Sequence, residues 1–356
     1  MAGKIDPVLE VALRRVKYPG LDVDIVEAGL VEEAVVEGAV AKVRLRPLSA
    51  PAGVRKALED ALAAELKAAP GIKEVELLFP PPPKAPSSSP PQPQPIEGVK
   101  WVVPVASGKG GVGKSTVAVN LAIGLRRLGL ASGVLDLDVY GPSMHIMLGL
   151  KGMEPTVENN KLVPLEAWGI KVMSVGVLMD PGKALIWRGP LVMKAVSQLI
   201  RDVAWAPLDV LVLDLPPGTG DVQITMCQEL PITGAVVVTT PQDVALADAI
   251  KAVDMFRTVG APVLGVVENM SFFVCPNCGV RHEIFGPPRN LEAVVGVRML
   301  GRLPLAMEVA PKADQGRPAI TLGGDVARAY EELAATVKRV LEEGDGAEQG
   351  GSGQGS

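Results

Sequence analysis

From Val99 onward, short apolar segments alternate with amphipathic helical segments. The apolar segments predict strands at residues 101–106, 133–137, 210–215, 235–239 and 263–267. Because helix-length segments separate these strands, the pattern predicts a mainly parallel sheet flanked by helices on both faces. The block forms one large α/β domain over residues 99–342. Pro104 lacks the N–H that a central strand donates, so we expect the first strand to be distorted there.

Residues 1–79 carry a separate pattern that predicts a small α+β domain. Proline at the first helical position and the spacing of Val8, Val11, Ala12 and Val16 predict a helix from Pro7, with these four side chains near one apolar face. A strand at 40–46, a helix at 52–69 and a strand at 72–79 follow. A domain of this size is near the lower limit for an independent core, so we expect it to pack on the larger domain or on a partner.

Two further segments have the composition of unpacked chain. Residues 80–98 form a predicted linker, because nine of the sixteen residues from 80 to 95 are proline and favour an extended polyproline II spacer. Residues 343–356 are rich in glycine and acidic side chains, and we expect them to be disordered.

Composition excludes several classes of protein. The 356 residues are 48% hydrophobic and 21% charged, with a formal net charge of -5. This balance lacks the basic surface that binds nucleic acid or an anionic membrane, so we expect neither partner. No apolar stretch reaches the length of a membrane span, and the N-terminus has no apolar signal core, which predicts a cytoplasmic protein. Three cysteines are too few for a disulfide framework, in agreement with a reducing compartment.

The strongest chemical signal is the glycine-rich loop GKGGVGKS at residues 108–115, between the first strand and a helical segment. Such a P-loop directs backbone N–H groups toward a polyphosphate at a helix N-terminus. Lys114 is expected to reach the β- and γ-phosphates of ATP, and Ser115 to ligate Mg²⁺. Lys109 is not required by this motif. The predicted nucleotide-binding residues here are Gly108, Lys109, Gly110, Gly111, Val112, Gly113, Lys114, Ser115 and Thr116.

Carboxylates follow two of the apolar strands. Asp214 ends a run of the Walker B type and is expected to bind a water of Mg²⁺. Asp136 and Asp138 end the strand after the P-loop helix, and either is placed to touch the water shell of the metal. Asp138 lies further out and is the better candidate to orient the attacking water, with a helix cap as the alternative. The PPGTG run at 216–220 indicates a loop that responds to the γ-phosphate.

The CPNC motif at residues 275–278 places two thiolates on one tight turn, which suits a soft metal. Cys227 lies far away in a helical context and is expected to be a buried apolar residue. His282 would not complete a zinc site within one chain. A four-thiolate site at Cys275 and Cys278 therefore requires two chains that meet on a twofold axis. A thioredoxin-like redox pair or a remnant zinc knuckle is the alternative.

Seven segments together resemble the Mrp/ApbC family of iron-sulfur carrier ATPases. They are GKGGVGKS at 108–115, DLDVYGPS at 136–143, WRGP at 187–190, DLPPGTGD at 214–221, TPQDVALAD at 240–248, ENMS at 268–271 and CPNC at 275–278. The resemblance covers residues 99 to about 340. It implies a homodimer that hydrolyses ATP, holds a [4Fe-4S] cluster on Cys275 and Cys278 of both subunits, and passes the cluster to apo iron-sulfur proteins.

The same resemblance implies roles for single residues. Lys109 would cross the dimer interface to the partner's phosphates and act in hydrolysis with Lys114, Asp138 and Asp214. Asn269, at the end of an apolar strand, matches the position that reads adenine.

Residues 6–79 resemble the small iron-sulfur assembly domain often fused to such ATPases, through YPGLDVDIVEAGLV at 18–31. Where that domain usually carries a cysteine, this chain has SAPAG at 49–53, so we expect docking rather than metal binding. A MinD/ParA-like positioning ATPase is an alternative function for the whole chain, but the acidic segment at 331–343 differs from the basic tails of that class. A zinc-stapled structural dimer is a third interpretation.

Overall fold

The computed structural model describes residues 5–46, 52–80, 93–139, 141–175 and 189–351. The helices in these ranges are α1 (Pro7–Leu13), α2 (Ala52–Lys67), α3 (Lys114–Arg127), α4 (Met144–Met147), α5 (Gly189–Arg201), α6 (Asp221–Glu229), α7 (Asp243–Thr258), α8 (Leu291–Val295), α9 (Val309–Ala313) and α10 (Gly324–Gly351). The strands are β1 (Val31–Glu37), β2 (Val40–Leu45), β3 (Glu74–Leu78), β4 (Val99–Ala106), β5 (Ser132–Asp136), β6 (Thr156–Glu158), β7 (Lys161–Val163), β8 (Leu165–Ala167), β9 (Ile170–Ser174), β10 (Leu208–Asp214), β11 (Ala235–Thr239), β12 (Val263–Val274), β13 (Arg281–His282) and β14 (Met299–Leu305).

Nine strands form the sheet of the large domain, in the order β13-β12-β11-β4-β10-β5-β9-β8, with β14 paired to β12. Neighbouring strands are parallel except in the pairs β12–β13 and β8–β9. The mainly parallel sheet predicted from the sequence is confirmed. The two antiparallel strands at its edges are short, and their sequences lack the apolar runs that mark the central strands.

Helices cover both faces of this sheet. Val103 and Val105 of β4 pack in a core with α3 and α10, whereas Val102 and Ala106 enter the core beneath α5, α6 and α7. Both sets of side chains are buried. Burial on both sides explains why the central strands are apolar throughout instead of alternating.

Pro104 does not interrupt β4, contrary to the expected distortion. Val102 donates its N–H to Thr233 Oγ1 and accepts the Thr233 N–H, both on the side of β11. Pro104 faces the same side because alternate residues of a strand share an edge. The ladder between β4 and β11 begins only at Val105, so the missing N–H falls just before the ladder starts.

The N-terminal domain has a three-stranded sheet in the order β1-β2-β3, in which β1 is antiparallel and β3 parallel to β2. Helix α1 buries Leu9 and Leu13, whereas Val8 and Val11 are 45% and 60% exposed. The predicted apolar face is therefore wrong for Val8 and Val11, whereas Ala12 and Val16, predicted on the same face, are buried. Two apolar sets compete on this helix, and the leucines occupy the core because they bury more apolar surface.

This small domain packs against α7 and α8 of the large domain. The Asp22 N–H donates to Asp243 Oδ2 at 2.6 Å. A Cβ on Gly20 would lie 3.0 Å from Val294. Buried side chains of the two domains belong to one continuous hydrophobic core. The small domain thus packs on the larger one, as its size predicts.

The tail predicted to be disordered from residue 343 is instead helical as far as residue 351, because α10 continues to Gly351. Asp345 accepts a hydrogen bond from Trp101 Nε1 at 3.0 Å and pairs with Lys100 Nζ at 2.6 Å. These bonds to β4 hold the helix end, and composition gives no sign of them. Residues 352–356, and residues 81–92 of the predicted linker, lie outside the described residues. Within the described ranges, no helix has both the length and the apolarity of a membrane span.

Candidate functional site

The P-loop connects the end of β4 to the start of α3, in the strand–loop–helix setting that the motif requires. Gly113 has φ 81°, and a Cβ at this position would lie 2.2 Å from Asn269 Nδ2. A Cβ on Gly108 would lie 2.1 Å from the carbonyl oxygen of Asp248. Both positions therefore require glycine, for conformation at Gly113 and for the close approach of α7 at Gly108.

Lys114 lies between two carboxylates at the carboxyl ends of neighbouring strands. Its side chain is 6% exposed, pairs with Asp214 Oδ1 and lies 3.7 Å from Asp138 Oδ2. Burial raises the pKa of Asp214, while the ammonium of Lys114 and the hydroxyl of Ser115 oppose this rise. The structure thus brings Lys114, Ser115, Asp138 and Asp214 together.

Two oxygens of this cluster are suited to a hydrated cation. Asp138 Oδ1 and Asp214 Oδ2 are buried and have no hydrogen-bond partner among the described residues. Buried carboxylate oxygens carry a desolvation cost unless a cation or water satisfies them. Oxygen donors beside the Ser115 hydroxyl fit Mg²⁺ and its waters, which bind through few protein ligands.

The carboxylate of Asp136 is occupied by hydrogen bonds, three of them to the backbone of the segment that follows β5. Its two oxygens accept four hydrogen bonds, from the backbone N–H groups of Asp138 at 3.0 Å, Ser143 at 3.2 Å and Met144 at 3.3 Å, and from Ser174 Oγ at 2.9 Å. Burial and the nearby Asp214 raise the pKa of Asp136 to about 7. Because these bonds fix the segment that carries Asp138, they favour Asp138 over Asp136 as the residue that orients water. Tyr140 of the DLDVYGPS motif, and Trp187 and Arg188 of the WRGP motif, lie outside the described residues.

Lys109 lies apart from this cluster. It is half-buried and lines a cleft of about 520 Å³ together with Asp243, Phe285 and Arg289. Arg289 pairs with Asp243, whereas Lys109 forms no ion pair with any described residue. Its ammonium is therefore not neutralised within the described part of the subunit.

The PPGTG loop after Asp214 contacts the base of the P-loop. Gly218 donates its N–H to the carbonyl of Ser107 at 2.9 Å. Gln223 Nε2 donates to the carbonyl of Pro217 at 2.8 Å. A change in the P-loop would therefore reach this loop directly.

Asn269 lies on a bulge of β12 that touches the P-loop. Glu268 pairs with Arg302 and Phe272 pairs with Pro304, so β12 has two extra residues between these pairs. Met270 within the bulge has φ 55°, an uncommon value for a non-glycine residue. The buried Asn269 donates from Nδ2 to the carbonyl of Val112 at 2.8 Å. The structure places Asn269 beside the P-loop, and its reading of adenine stays a prediction.

The CPNC turn begins one residue after β12. Cys275 accepts the Gly279 N–H at 2.8 Å and donates its own N–H to Val280 at 2.9 Å, which closes the turn. Cys275 is half-buried and Cys278 is exposed, and both are free thiols. Backbone N–H groups of Cys278 and then Asn277 lower the pKa of Cys275. The turn therefore presents a Cys275 thiol that ionises more readily than an ordinary cysteine, beside the exposed thiol of Cys278.

The remaining ligand candidates do not join the CPNC turn. Cys227 is buried, and burial raises the pKa of its thiol to about 12, which makes it inert. His282 is exposed on β13, paired in register with Phe273. Over the described ranges, no group of three or more His, Cys, Asp or Glu side chains is arranged to hold a metal ion.

The sequence does not predict the interaction of three ionisable side chains near both sites. Glu268 and Glu283 both contact Arg302, at 2.6 Å and 3.4 Å. Glu268 belongs to a recognised motif, but no motif marks Arg302 or Glu283. The pairing depends on strands β12 and β14 lying side by side, which a local sequence pattern does not reveal.

Comparisons with known proteins agree with this geometry. The family profile described as NUBPL iron-transfer P-loop NTPase matches residues 98–340, and the profile of an iron-sulfur cluster assembly protein matches residues 8–77. An iron-sulfur cluster carrier protein of Deinococcus radiodurans is 46% identical over 310 residues, which cover 87% of each chain. The iron-sulfur cluster transfer protein NUBPL of Mus musculus is 49% identical over 257 residues, covering 70% of this chain and 81% of its own.

Solved structures share the fold. A nucleotide-binding protein of Archaeoglobus fulgidus in complex with ADP superposes with a TM-score of 0.56 at 37% identity, over 62% of this chain and 88% of that one. The septum site-determining protein MinD of Pyrococcus horikoshii, complexed with Mg-ADP, superposes with a TM-score of 0.52 at 21% identity, over 69% of this chain and 98% of that one. The MinD likeness extends to the fold alone.

Proposed function

The chain belongs to the family of NUBPL iron-transfer P-loop NTPases, and we propose that it is a cytoplasmic, ATP-hydrolysing carrier of iron-sulfur clusters. Its cargo is a [4Fe-4S] cluster, which it transfers to apo iron-sulfur proteins. The observation that carries this proposal is the CPNC turn, where a half-buried and an exposed free thiol directly follow the strand that also touches the P-loop.

The cargo is held by two copies of the chain. A [4Fe-4S] cluster takes four thiolates, and each chain offers Cys275 and Cys278. Since the described residues hold no larger group of ligands, a homodimer that brings two CPNC turns onto a twofold axis completes the site. Lys109 supports the same arrangement, because its ammonium has no carboxylate partner in the described part of its own subunit.

ATP and Mg²⁺ bind at the P-loop and the carboxylates beside it. Backbone N–H groups from Gly108 to Thr116 bind the phosphates of ATP, and Lys114 contacts the β- and γ-phosphates. Ser115 binds Mg²⁺ directly, and Asp214 binds it through water. Magnesium, when bound, neutralises charge on the phosphates.

Each remaining side chain has one task in this assignment. Asp138 orients the attacking water through the oxygen that has no partner among the described residues. Lys109 reaches the partner's phosphates, where it stabilises the charge that develops during transfer. Asn269 exchanges its bond to Val112 for a bond to adenine.

Anaerobic reconstitution with iron and sulfide tests the proposal. We expect about four iron and four sulfide per dimer, with broad visible absorption. Cys275→Ala/Cys278→Ala should bind neither, because it removes every thiol of the turn, whereas the matched variant Cys227→Ala should load like the unmodified protein. Full iron and sulfide content in the double variant would refute the assignment.

Two alternatives remain distinguishable. A MinD/ParA-like positioning ATPase predicts ATP-dependent sedimentation with lipid vesicles or DNA. We expect none, because the matching family and the similar relatives concern iron-sulfur clusters. A zinc-stapled structural dimer predicts zinc, rather than iron, in protein purified without oxygen.

A further inference from the structure

One strand connects the nucleotide side of the molecule with the CPNC turn. The bulge of β12 holds Asn269 against the P-loop, and Cys275 directly follows the last residue of the same strand. Between the bulge and the turn, β12 pairs with both β13 and β14. The two ends are therefore joined by backbone, and the side chains around the bulge decide how stiff this connection is.

Glu268 fixes the inner end of the connection. Its side chain is 2% exposed, its Oε2 lies 2.6 Å from Arg302 Nε, and the hydroxyl of Ser271 donates to it across the bulge. A carboxylate this deeply buried requires a charged partner, since an unpaired one carries a large desolvation penalty. Arg302 is consequently held in one orientation beside the bulge.

Arg302 also reaches the hairpin that follows the CPNC turn. Its Nη2 lies 3.4 Å from Glu283 Oε2, and Glu283 Oε1 accepts from Arg281 Nε at 2.8 Å. The guanidinium of Arg281 lies 3.6 Å from the ring centroid of Phe272, back on β12. The chain Glu268–Arg302–Glu283–Arg281 thus begins at the bulge and ends on the strand that closes the turn.

We propose that Arg302 is a positioning residue that couples the nucleotide-binding bulge to the CPNC turn. The inference rests on the proposed function, because it assumes that Asn269 exchanges its bond to Val112 for a bond to adenine. These two arrangements of Asn269 give the bulge two states, which coupling requires. The guanidinium of Arg302 holds both Glu268 and Glu283. A shift of the bulge therefore moves the hairpin, whereas without this link the shift would stay local to the bulge.

Hydrogen exchange of the full-length protein, without cluster and with ADP as the probe, tests this coupling. In the unmodified protein, ADP should change the exchange rates of amides 277–283 severalfold, because the hairpin moves when the bulge moves. Arg302→Met should bind ADP and lose this response. Glu283→Gln should lose it too, and this variant keeps the buried Glu268–Arg302 pair and hence the fold. Arg302→Lys retains charge but lacks the planar fork that contacts two carboxylates, so it should restore the response only in part.

Arg298→Met is the matched control, because Arg298 directly precedes β14, the strand of Arg302, and its only ion pair among the described residues is with the exposed Glu343 at 3.3 Å. It should respond to ADP like the unmodified protein. The proposal is overturned if ADP leaves the exchange of amides 277–283 in the unmodified protein unchanged, or if Arg302→Met and Glu283→Gln respond normally. Because no cluster is present, a failure of iron and sulfide reconstitution would defeat cluster carriage and leave this result intact.

Discussion

Replacing Gly113 with alanine should destabilise the P-loop domain by about 2–3 kcal/mol. An L-residue at φ 81° in the left-handed region costs about 1–2 kcal/mol. The new Cβ would lie 2.2 Å from Asn269 Nδ2, so Asn269 must move and give up its bond to Val112. Loss of this buried bond adds about 1 kcal/mol.

Calorimetric unfolding of the full-length protein without nucleotide measures this effect. For a domain of this size each kcal/mol lowers the melting temperature by about 2–4 °C, so Gly113→Ala should melt roughly 4–12 °C lower. Gly110→Ala is the matched control, because a Cβ at Gly110 meets no atom within 4 Å. Gly108→Ala should cost at least as much as Gly113→Ala, since its Cβ meets backbone. Equal melting of Gly113→Ala and Gly110→Ala would refute the reasoning.

Four further substitutions test the site and the fold. Lys114→Ala should weaken ADP binding by about tenfold or more, measured by calorimetric titration, since it removes the cation facing the phosphates, and unchanged affinity would contradict its role. Lys109→Ala should keep its affinity for ATP but lose hydrolysis, and normal phosphate release would exclude action across the dimer. The folded-state pKa of Asp136, about 7, exceeds its ordinary value of 3.8, so its favourable contribution to stability falls as pH rises from 4 to 7. Asp136→Asn should flatten this part of a plot of unfolding free energy against pH, and an unchanged slope would count against the raised pKa. Asp345→Ala should cost about 1 kcal/mol in urea unfolding by removing the bonds to β4, whereas Glu343→Ala, at an exposed ion pair, should cost less, and the reverse order would argue against a tied helix end.

The parts predicted well from the sequence are those whose physics is local. The strand at 235–239 matches β11 residue for residue, because an apolar run between helices on both sides has one stable place in such a sheet. The P-loop motif predicts the turn that leads into α3, since Gly113 permits the positive φ found there. Two cysteines separated by two residues predict a turn that presents both thiols.

Other predictions were wrong or missing because they concern features that depend on contacts between residues far apart in the chain. Composition predicted disorder after residue 343, but Asp345 bonds to β4 and helix α10 continues. Spacing alone placed Val8 and Val11 on the same face of α1 as the buried Ala12 and Val16, but the two valines are exposed and Leu9 and Leu13 are buried instead. The sequence pattern did not predict strand β1, because acidic residues interrupt its apolar positions.

The sequence by itself determined which chemical groups are available: a phosphate-binding loop, carboxylates at strand ends and one pair of thiols. The tertiary structure decided how these groups relate, because parallel strands bring distant residues to one edge of the sheet. Only there does Lys114 lie between Asp138 and Asp214, while Lys109 forms no ion pair with any described residue of its subunit. Only there does Arg302 join the bulge beside the P-loop to the turn that carries Cys275. Motifs record residue types at fixed spacing, whereas ion pairs across strands depend on the fold that brings those strands together.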